Sequence, residues 1–341
     1  MNPGLAVKLR PTGPWRIGPD SGARNQMDSI YHSDSLYSAV TSALARLGLL
    51  EEWLEATARK SASAVCFSSC FPFVDDIGFV VPPRTIWPPA SPALLASHVR
   101  WKSARFVPLG IVQALLAGQS LDENEWAVDG PTGCLLPVGR PGPWRTGVRF
   151  SAALDRLTGT AERHSTACIE FRPGAGLWTV VSFADEAARS RWIDPLKTAF
   201  RWLADSGFGG ERSRGWGRSE EPDFTEGTLP DMILAAAPAE AAASAPNGAH
   251  PQWLLSLFSP ATADSVDWER GNYAVLERCG RVESPVRWGD LKKHVNMVSE
   301  GSVLYAASPL RGAAPDVAPE GFAHPVFRAG FAFAIPLPEV S

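Results

Sequence analysis

The stretch WIDPLKTAFRWLADSGFGGERSRGWGRSE, from Trp192 to Glu220, joins two signals in one run. Trp192, Leu196, Phe200 and Leu203 repeat every three to four residues, the spacing of a helix buried along one stripe. Asp194-Pro195 predicts a fresh helix with Pro195 at its first position, where a missing N–H costs little. Gly207 is the expected C-cap. From Gly207 to Glu220 five glycines and three arginines fall within fourteen residues, a composition suited to holding phosphate. The phosphate belongs either to a nucleotide cofactor or to a nucleic-acid backbone.

The cofactor readings fail. A Walker loop needs a lysine followed by a hydroxyl residue, and this run has no lysine. A dinucleotide fingerprint puts its third glycine where Arg212 stands, and it joins a strand to a helix, whereas this run follows a helix. A nucleic-acid loop fits better. Gly209, Gly210, Gly215 and Gly217 allow positive φ and close approach of backbone amides to a phosphate. Arg212, Arg214 and Arg218 offer forked donors, and Ser213 offers a hydroxyl. The plain alternative is a surface turn with incidental arginines, which the density of both residue types disfavours.

The 341-residue length allows one large domain or two ordinary ones. With 45% hydrophobic and 20% charged residues the chain is globular. Thirty prolines and thirty glycines imply many turns and disfavour a helical bundle. No apolar run suggests a membrane span, the first residues lack a signal-peptide core, and five cysteines suit a reducing compartment; a cytoplasmic location is expected. Cys66 and Cys70 read as buried free thiols on a strand, too far apart to share a metal. The formal net charge of −4 argues against nonspecific nucleic-acid binding by the whole surface. The charge is uneven, however. Four cations and no acid lie between Arg84 and Phe106, and six arginines face three acids between Arg140 and Arg172. Local polyanion grooves on a mildly acidic body are the expectation.

The pattern along the chain is strand-rich, with helices between strands. LAVKLRP reads as a strand, and HSDSLYSAVTSALARLG as a helix capped by Ser33. EEWLEATARK adds a short helix. SAVCFSSCFPFV and IGFVVPP read as strands around a turn at Asp75-Asp76. Three strands follow within residues 145–183, the first two flanking a basic hairpin tip. After an Ala/Pro-rich linker at 226–249, further strands enclose a short helix over WGDLKKHVNMV. The fold class is therefore α+β, with an N-terminal unit at 1–225 and a C-terminal unit at 250–341. Phe331 and Phe333 in AGFAFAIP half-match an RRM base-stacking motif. Alternating phenylalanines in a strand are more often core, and that is the favoured reading.

FGGERSRGWGR resembles the glycine-rich loop of the RAMP proteins, the RNA-binding superfamily of CRISPR systems. HSDSLYSAV (His32 to Val40), YAVLERCGRVES, MVSEGSVL and HPVFRAG are similar to the family of the fourth subunit of the type III-A Csm effector, in the group that binds the 5′ handle. The resemblance runs in patches over nearly the whole chain. It implies two ferredoxin-like, RRM-related domains with a hairpin insertion. It also implies binding of the repeat-derived 5′ tag of a crRNA, docking onto a large polymerase-like subunit and a backbone RAMP subunit, and only indirect contact with target RNA. Carried across, the RNA contacts fall on Gly209, Gly210, Arg212, Ser213, Arg214 and Gly215, with Gly217 and Arg218 beside them. His32 and Ser33 would lie near the RNA path. Arg145, Arg149 and Arg156 would lie on the thumb-like insertion.

Some RAMP proteins cut RNA, which requires a general base near the 2′-hydroxyl. His32, beside Tyr31, Ser33 and Asp34, is the one candidate, so the runner-up is a metal-independent crRNA-processing endoribonuclease. A third reading is a protein scaffold with incidental basic patches. No nucleophile elbow, metal-ligand spacing or paired carboxylates stand out. No catalytic residue, metal or cofactor is expected.

Overall fold

The computed structural model describes residues 1–19, 23–89, 100–234, 248–284 and 288–338. The first strand, β1 (Asn2–Leu9), alternates as its sequence requires, burying Leu5, Val7 and Leu9. Helix α1 (Ser33–Arg46) buries Leu36, Val40 and Leu44 on one stripe, and α2 (Leu50–Ala56) inserts Trp53. His32 occupies the N-cap of α1, and Ser33 is its first helical residue; the expected Ser33 cap is displaced because its hydroxyl serves another segment, described below.

The SAVCFSSCFPFV run splits into β2 (Val65–Phe67) and β3 (Phe71–Val74). Between them the chain turns its hydrogen bonds elsewhere. Ser69 N–H donates to the Leu255 carbonyl and Cys70 N–H to that of Tyr31. All five cysteines are free, with Cys70 buried and Cys66 half-buried. Strand β4 (Ile77–Val80) follows the Asp75-Asp76 turn, with Asp75 at a φ of 52°. Next come β5 (Val107–Pro108), α3 (Leu109–Leu116) and a small hairpin of β6 (Trp126–Asp129) and β7 (Cys134–Pro137) that its sequence did not signal. The three expected strands are β8 (Trp144–Leu154), β9 (Ala161–Phe171) and β10 (Ala175–Phe183). The first two pair from Trp144–Phe171 out to Leu154–Ala161.

Helix α4 (Glu186–Ser206) runs unbroken through Pro195. The predicted restart at Asp194-Pro195 does not occur. Asp185 caps the N-terminus by accepting from Ala188 N–H, and Trp192, Leu196, Phe200 and Leu203 are buried on both sides of the proline. Burying those four side chains outweighs the roughly 3 kcal/mol a mid-helix proline costs. Gly207 ends the helix at a φ of 79°. Strand β11 (Asp223–Leu229) completes a sheet ordered β11-β1-β10-β3-β4-β5, with β2 also pairing with β10. The neighbours are antiparallel.

The C-terminal part begins with β12 (His250–Leu254) and β13 (Val266–Asn272). It continues through β14 (Val275–Arg278), β15 (Arg281–Glu283), β16 (Trp288–Leu291), β17 (Val295–Val298) and β18 (Val303–Ala306). Short β19 (Gly312–Ala313), β20 (Gly330–Phe331) and β21 (Ala334–Pro336) close it. The main sheet is ordered β13-β18-β12-β21 and is antiparallel. The helix expected over WGDLKKHVNMV is instead β16 and β17, paired with β15 and β14. Gly289 sits at a φ of 89°, a conformation no right-handed helix contains. Among the described residues this part holds no helix. Of the expected Ala/Pro linker, 226–229 belong to β11 and 235–247 lie outside the described residues.

The two parts share one apolar core. Tyr37 on α1 meets Phe331 edge-on with ring centres 5.6 Å apart, and Trp253 and Phe333 join the same cluster. Phe331 and Phe333 are therefore core, as favoured, and not base platforms. At Gly301, with a φ of 81°, a Cβ would lie 2.5 Å from Val81 and 2.9 Å from the Pro82 carbonyl, so only glycine allows that approach.

Candidate nucleic-acid interface

The glycine-rich loop hangs from two buried aromatics. Phe208 packs edge-on against Trp15 at 4.6 Å and Tyr31 at 5.1 Å, and Trp216 is also buried. Gly207 and Gly217 hold the loop's neck. A Cβ on Gly207 would lie 2.4 Å from the Trp216 carbonyl oxygen, and one on Gly217 would lie 2.0 Å from that of Phe208. Gly209, with a φ of 88°, closes on the Arg16 carbonyl in the same way. Several amides are spent internally. Gly210 N–H donates to Arg16, Arg214 to Glu211 and Gly215 to Arg212. The N–H groups of Gly209, Glu211, Arg212 and Ser213 have no partner among the described residues. The loop is a preformed turn that leaves these four amides for a ligand.

Arg212, Ser213, Arg214 and Arg218 are exposed at this turn. Arg212 reaches Glu283 at 2.5 Å, and Arg214 folds back on Glu211 at 3.1 Å. Glu211, a residue without glycine's freedom, holds a left-handed φ of 61°. Neither acid was signalled as part of the site.

The HSDS segment lies inside. His32, Ser33 and Asp34 are all buried. The His32 ring bonds Glu300 through Nδ1 at 2.7 Å and Asp28 through Nε2 at 3.1 Å. Burial alone would lower the pKa of this imidazole. The Glu300 charge and the hydrogen bonds to Asp28 and Glu300 override that and raise it to about 9, so His32 is a cation at neutral pH. Ser33 Oγ accepts from Leu257 N–H, and Ser33 N–H donates to Ser69 Oγ. Asp34 accepts from Arg278 at 3.0 and 3.1 Å and from Arg328. Burial opposes its charge, but these two guanidiniums hold its carboxyl well below the usual range. The four stretches that carry the family resemblance beside the loop thus meet at one place. HSDS supplies His32 and Asp34, and the other three supply Arg278, Glu300 and Arg328.

Beside this knot an open cleft is lined by the loop residues Gly209, Gly210 and Arg212, by Ser35, Ser38 and Ser42 of α1, and by the C-terminal part. The C-terminal part adds Arg278, Arg281, Lys292 and Arg328. Five cations therefore face two carboxylates, Asp34 and Glu283. Burial, then repulsion from Arg328, lowers the Lys292 pKa, and Arg328 Nε is buried without a partner. In charge and in donors the cleft is suited to an anion. Arg278, Arg281, Lys292 and Arg328 were missed from sequence because they sit singly in a strand-and-turn region. Lys292 was also hidden by the helix expected there.

The hairpin arginines are not among the residues that line this cleft. Arg145 and Arg149 both pair with Glu170 near the hairpin's base. Arg156 is exposed at its tip, about 30 Å along strands of this length. Arg163 covers the exposed Phe150 ring at 3.9 Å. Among the described residues no metal-ligating cluster occurs, and no helix is long and apolar enough to cross a membrane.

Residues 247–337 match the family model of the CRISPR Csm4 C-terminal domain. The whole chain also superposes on a chain of the Csm3-Csm4 subcomplex of the type III-A CRISPR-Cas interference complex. The TM-score is 0.63 at 15% identity, covering 99% of this chain and 100% of the other. The family match thus lies in the C-terminal part, and over the rest of the chain the likeness is one of fold. A chain of a Csm1-Csm4 cassette in complex with cA4 gives a TM-score of 0.56 at 18% identity, covering 98% and 97%. The cassette in complex with pppApA gives 0.55 at 19%, with the same coverage. No curated protein matches the sequence. The family-model match covers β12 through β21, the part that contributes Arg278, Glu300 and Arg328 to the buried knot.

Proposed function

We propose that the chain is an RNA-binding subunit of a type III CRISPR effector that holds the 5′ tag of the crRNA. The phosphates would lie in the cleft against the free amides of Gly209, Glu211, Arg212 and Ser213 and the guanidiniums of Arg212 and Arg281. The single observation that supports this most is that the glycine-rich loop lines a cleft with five cations and two acids. Phosphate contacts of this kind fix position and register but do not read sequence. Arg214 and Arg218 flank the turn, and Gly215 and Gly217 keep its shape. His32 and Ser33 act from beneath, locking α1 to the C-terminal part. Arg145, Arg149 and Arg156 belong to a thumb that extends beyond the cleft.

Structures of similar fold were crystallised as Csm1-Csm4 and Csm3-Csm4 assemblies. On that likeness the chain's partners are a large polymerase-like subunit and a backbone RAMP subunit, and it meets target RNA only indirectly. We read both parts as ferredoxin-like. In β11-β1-β10-β3, helices α1 and α4 follow β1 and β10, and each crossover is split by an antiparallel strand, as in the βαββαβ arrangement. The order β13-β18-β12-β21 repeats it with irregular chain in place of helices.

The role is noncatalytic in this proposal. A general base must be unprotonated and able to reach a 2′-hydroxyl. His32 is buried and both ring nitrogens are bonded to carboxylates, so the endoribonuclease reading loses its residue. Binding of tagged crRNA by wild type and by Arg212→Ala/Arg214→Ala tests the proposal. Losing the one phosphate contact assigned to Arg212 reduces the salt slope by about 0.7. Unchanged affinity and slope would favour the scaffold reading.

A further inference from the structure

A second cleft lies on the other side of the first turn of α1. His32 lines it, while Asp34, two residues on, lines the glycine-loop cleft. Its cations are Arg84, Lys102 and Arg105, and its apolar surfaces include Trp87, Pro82 and Val275. The three cations and Trp87 belong to the stretch from Arg84 to Phe106, which carries four cations and no acid.

The cleft's electrostatics are one-sided. Glu300 is the one carboxylate among its described lining residues, and it is buried with Oε1 taken by His32 and Ser69. Arg105 is neutralised by Asp28 at 3.2 Å. Arg84 and Lys102 are exposed and have no carboxylate partner among the described residues. The Arg84 backbone is anchored. Its N–H donates to the Gly301 carbonyl, and its own carbonyl accepts from Asn272. Trp87 is braced edge-on by Trp101, at 5.6 Å and 90°. Val275 is 56% exposed. Exposed cations beside a braced indole are the elements of single-strand recognition, in which backbone charge and a base face are met together. An acidic peptide would satisfy the charge. The flat indole favours a nucleotide strand.

We propose that this cleft is a second single-stranded RNA contact, which takes one nucleotide with its phosphate on Arg84 and Lys102 and its base against Trp87 and Val275. It rests on the reading that the chain holds RNA, but it does not depend on the glycine-rich loop.

The test uses the full chain and a fluorescein-labelled single-stranded RNA of mixed sequence that contains 4-thiouridine. Arg84→Ala/Lys102→Ala should lower the slope of log affinity against log salt by about 1.4, from two lost phosphate contacts. It should also abolish cross-links to 81–88 and 274–276 while sparing those to 207–218. Trp87→Leu should weaken binding at least about fivefold without changing the slope. Cross-links confined to 207–218, with affinity and slope unmoved by the Arg84/Lys102 variant, overturn the proposal; a cleft that serves a protein partner gives that result. Cross-links at 81–88 and 274–276 that persist when Arg212→Ala/Arg214→Ala has no effect support this cleft and sink the loop. A wild-type chain that binds no RNA sinks both.

Discussion

Replacing Asp34 with alanine removes one carboxylate from between two guanidiniums. The Asp34 side chain is 2% exposed, and those of Arg278 and Arg328 are each 7% exposed. Arg278 bonds both carboxylate oxygens at 3.0 and 3.1 Å, and Arg328 bonds one of them. At an effective dielectric near 20, each contact of this length is worth about 4 kcal/mol of Coulomb energy before desolvation. Returning the carboxylate to water offsets part of that. The two arginines remain, buried and facing each other, and the net cost of breaking such a pair is about 3–5 kcal/mol. Set against a whole-domain stability of about 5–15 kcal/mol, the loss should be plain. Urea unfolding followed by tryptophan fluorescence should show a lower midpoint. Replacing all three with apolar residues of similar volume should recover most of it. A loss below about 1 kcal/mol for Asp34→Ala would refute the idea that these motifs converge in a buried ion cluster.

Stability should also fall on the alkaline side. The folded-state pKa of His32 is about 9, above its ordinary value, so its contribution is full below about pH 6.5 and is lost as pH rises through 9. The loss is on the order of 3 kcal/mol, and His32→Gln should flatten the profile between those pH values. Asp28, Asp34 and Glu300 are held low, by His32 or by arginine, so their contribution stands above about pH 4 and disappears in acid. Gly217→Ala and Gly215→Ala both strain a positive φ, at 80° and 78°, but only at Gly217 does the added Cβ strike backbone, while Gly215 faces open space. Thermal melts should show about 1 kcal/mol lost at Gly215 and clearly more at Gly217, and the reverse order would contradict the neck geometry.

Much of the N-terminal part was legible because its signals are local. The apolar stripe of α4, the Gly207 cap and the three strands of residues 144–183 follow from spacing and turn residues alone. The loop was legible for the same reason, since glycines and arginines crowd into one run. Pro195 misled because a local breaker was outweighed by buried aromatics on either side of it. The helix expected over Trp288–Val298 failed because β16 pairs back on β15, and β17 pairs with the more distant β14. The cleft's second half was illegible for a related reason. Arg278, Lys292 and Arg328 are ordinary cations until the fold carries them to Asp34. His32 and Ser33 were singled out for their residue types and position, while burial, which gives them a structural task, is a property of the assembled core.

The most direct measurement is a map of the chain assembled with its guide RNA and neighbouring subunits. Phosphate density within hydrogen-bonding distance of the amides of Glu211 to Ser213 and of the Arg212 and Arg281 guanidiniums is the expected result. A guide strand that runs elsewhere, with the cleft between the glycine-rich loop and α1 unfilled by RNA, would contradict it.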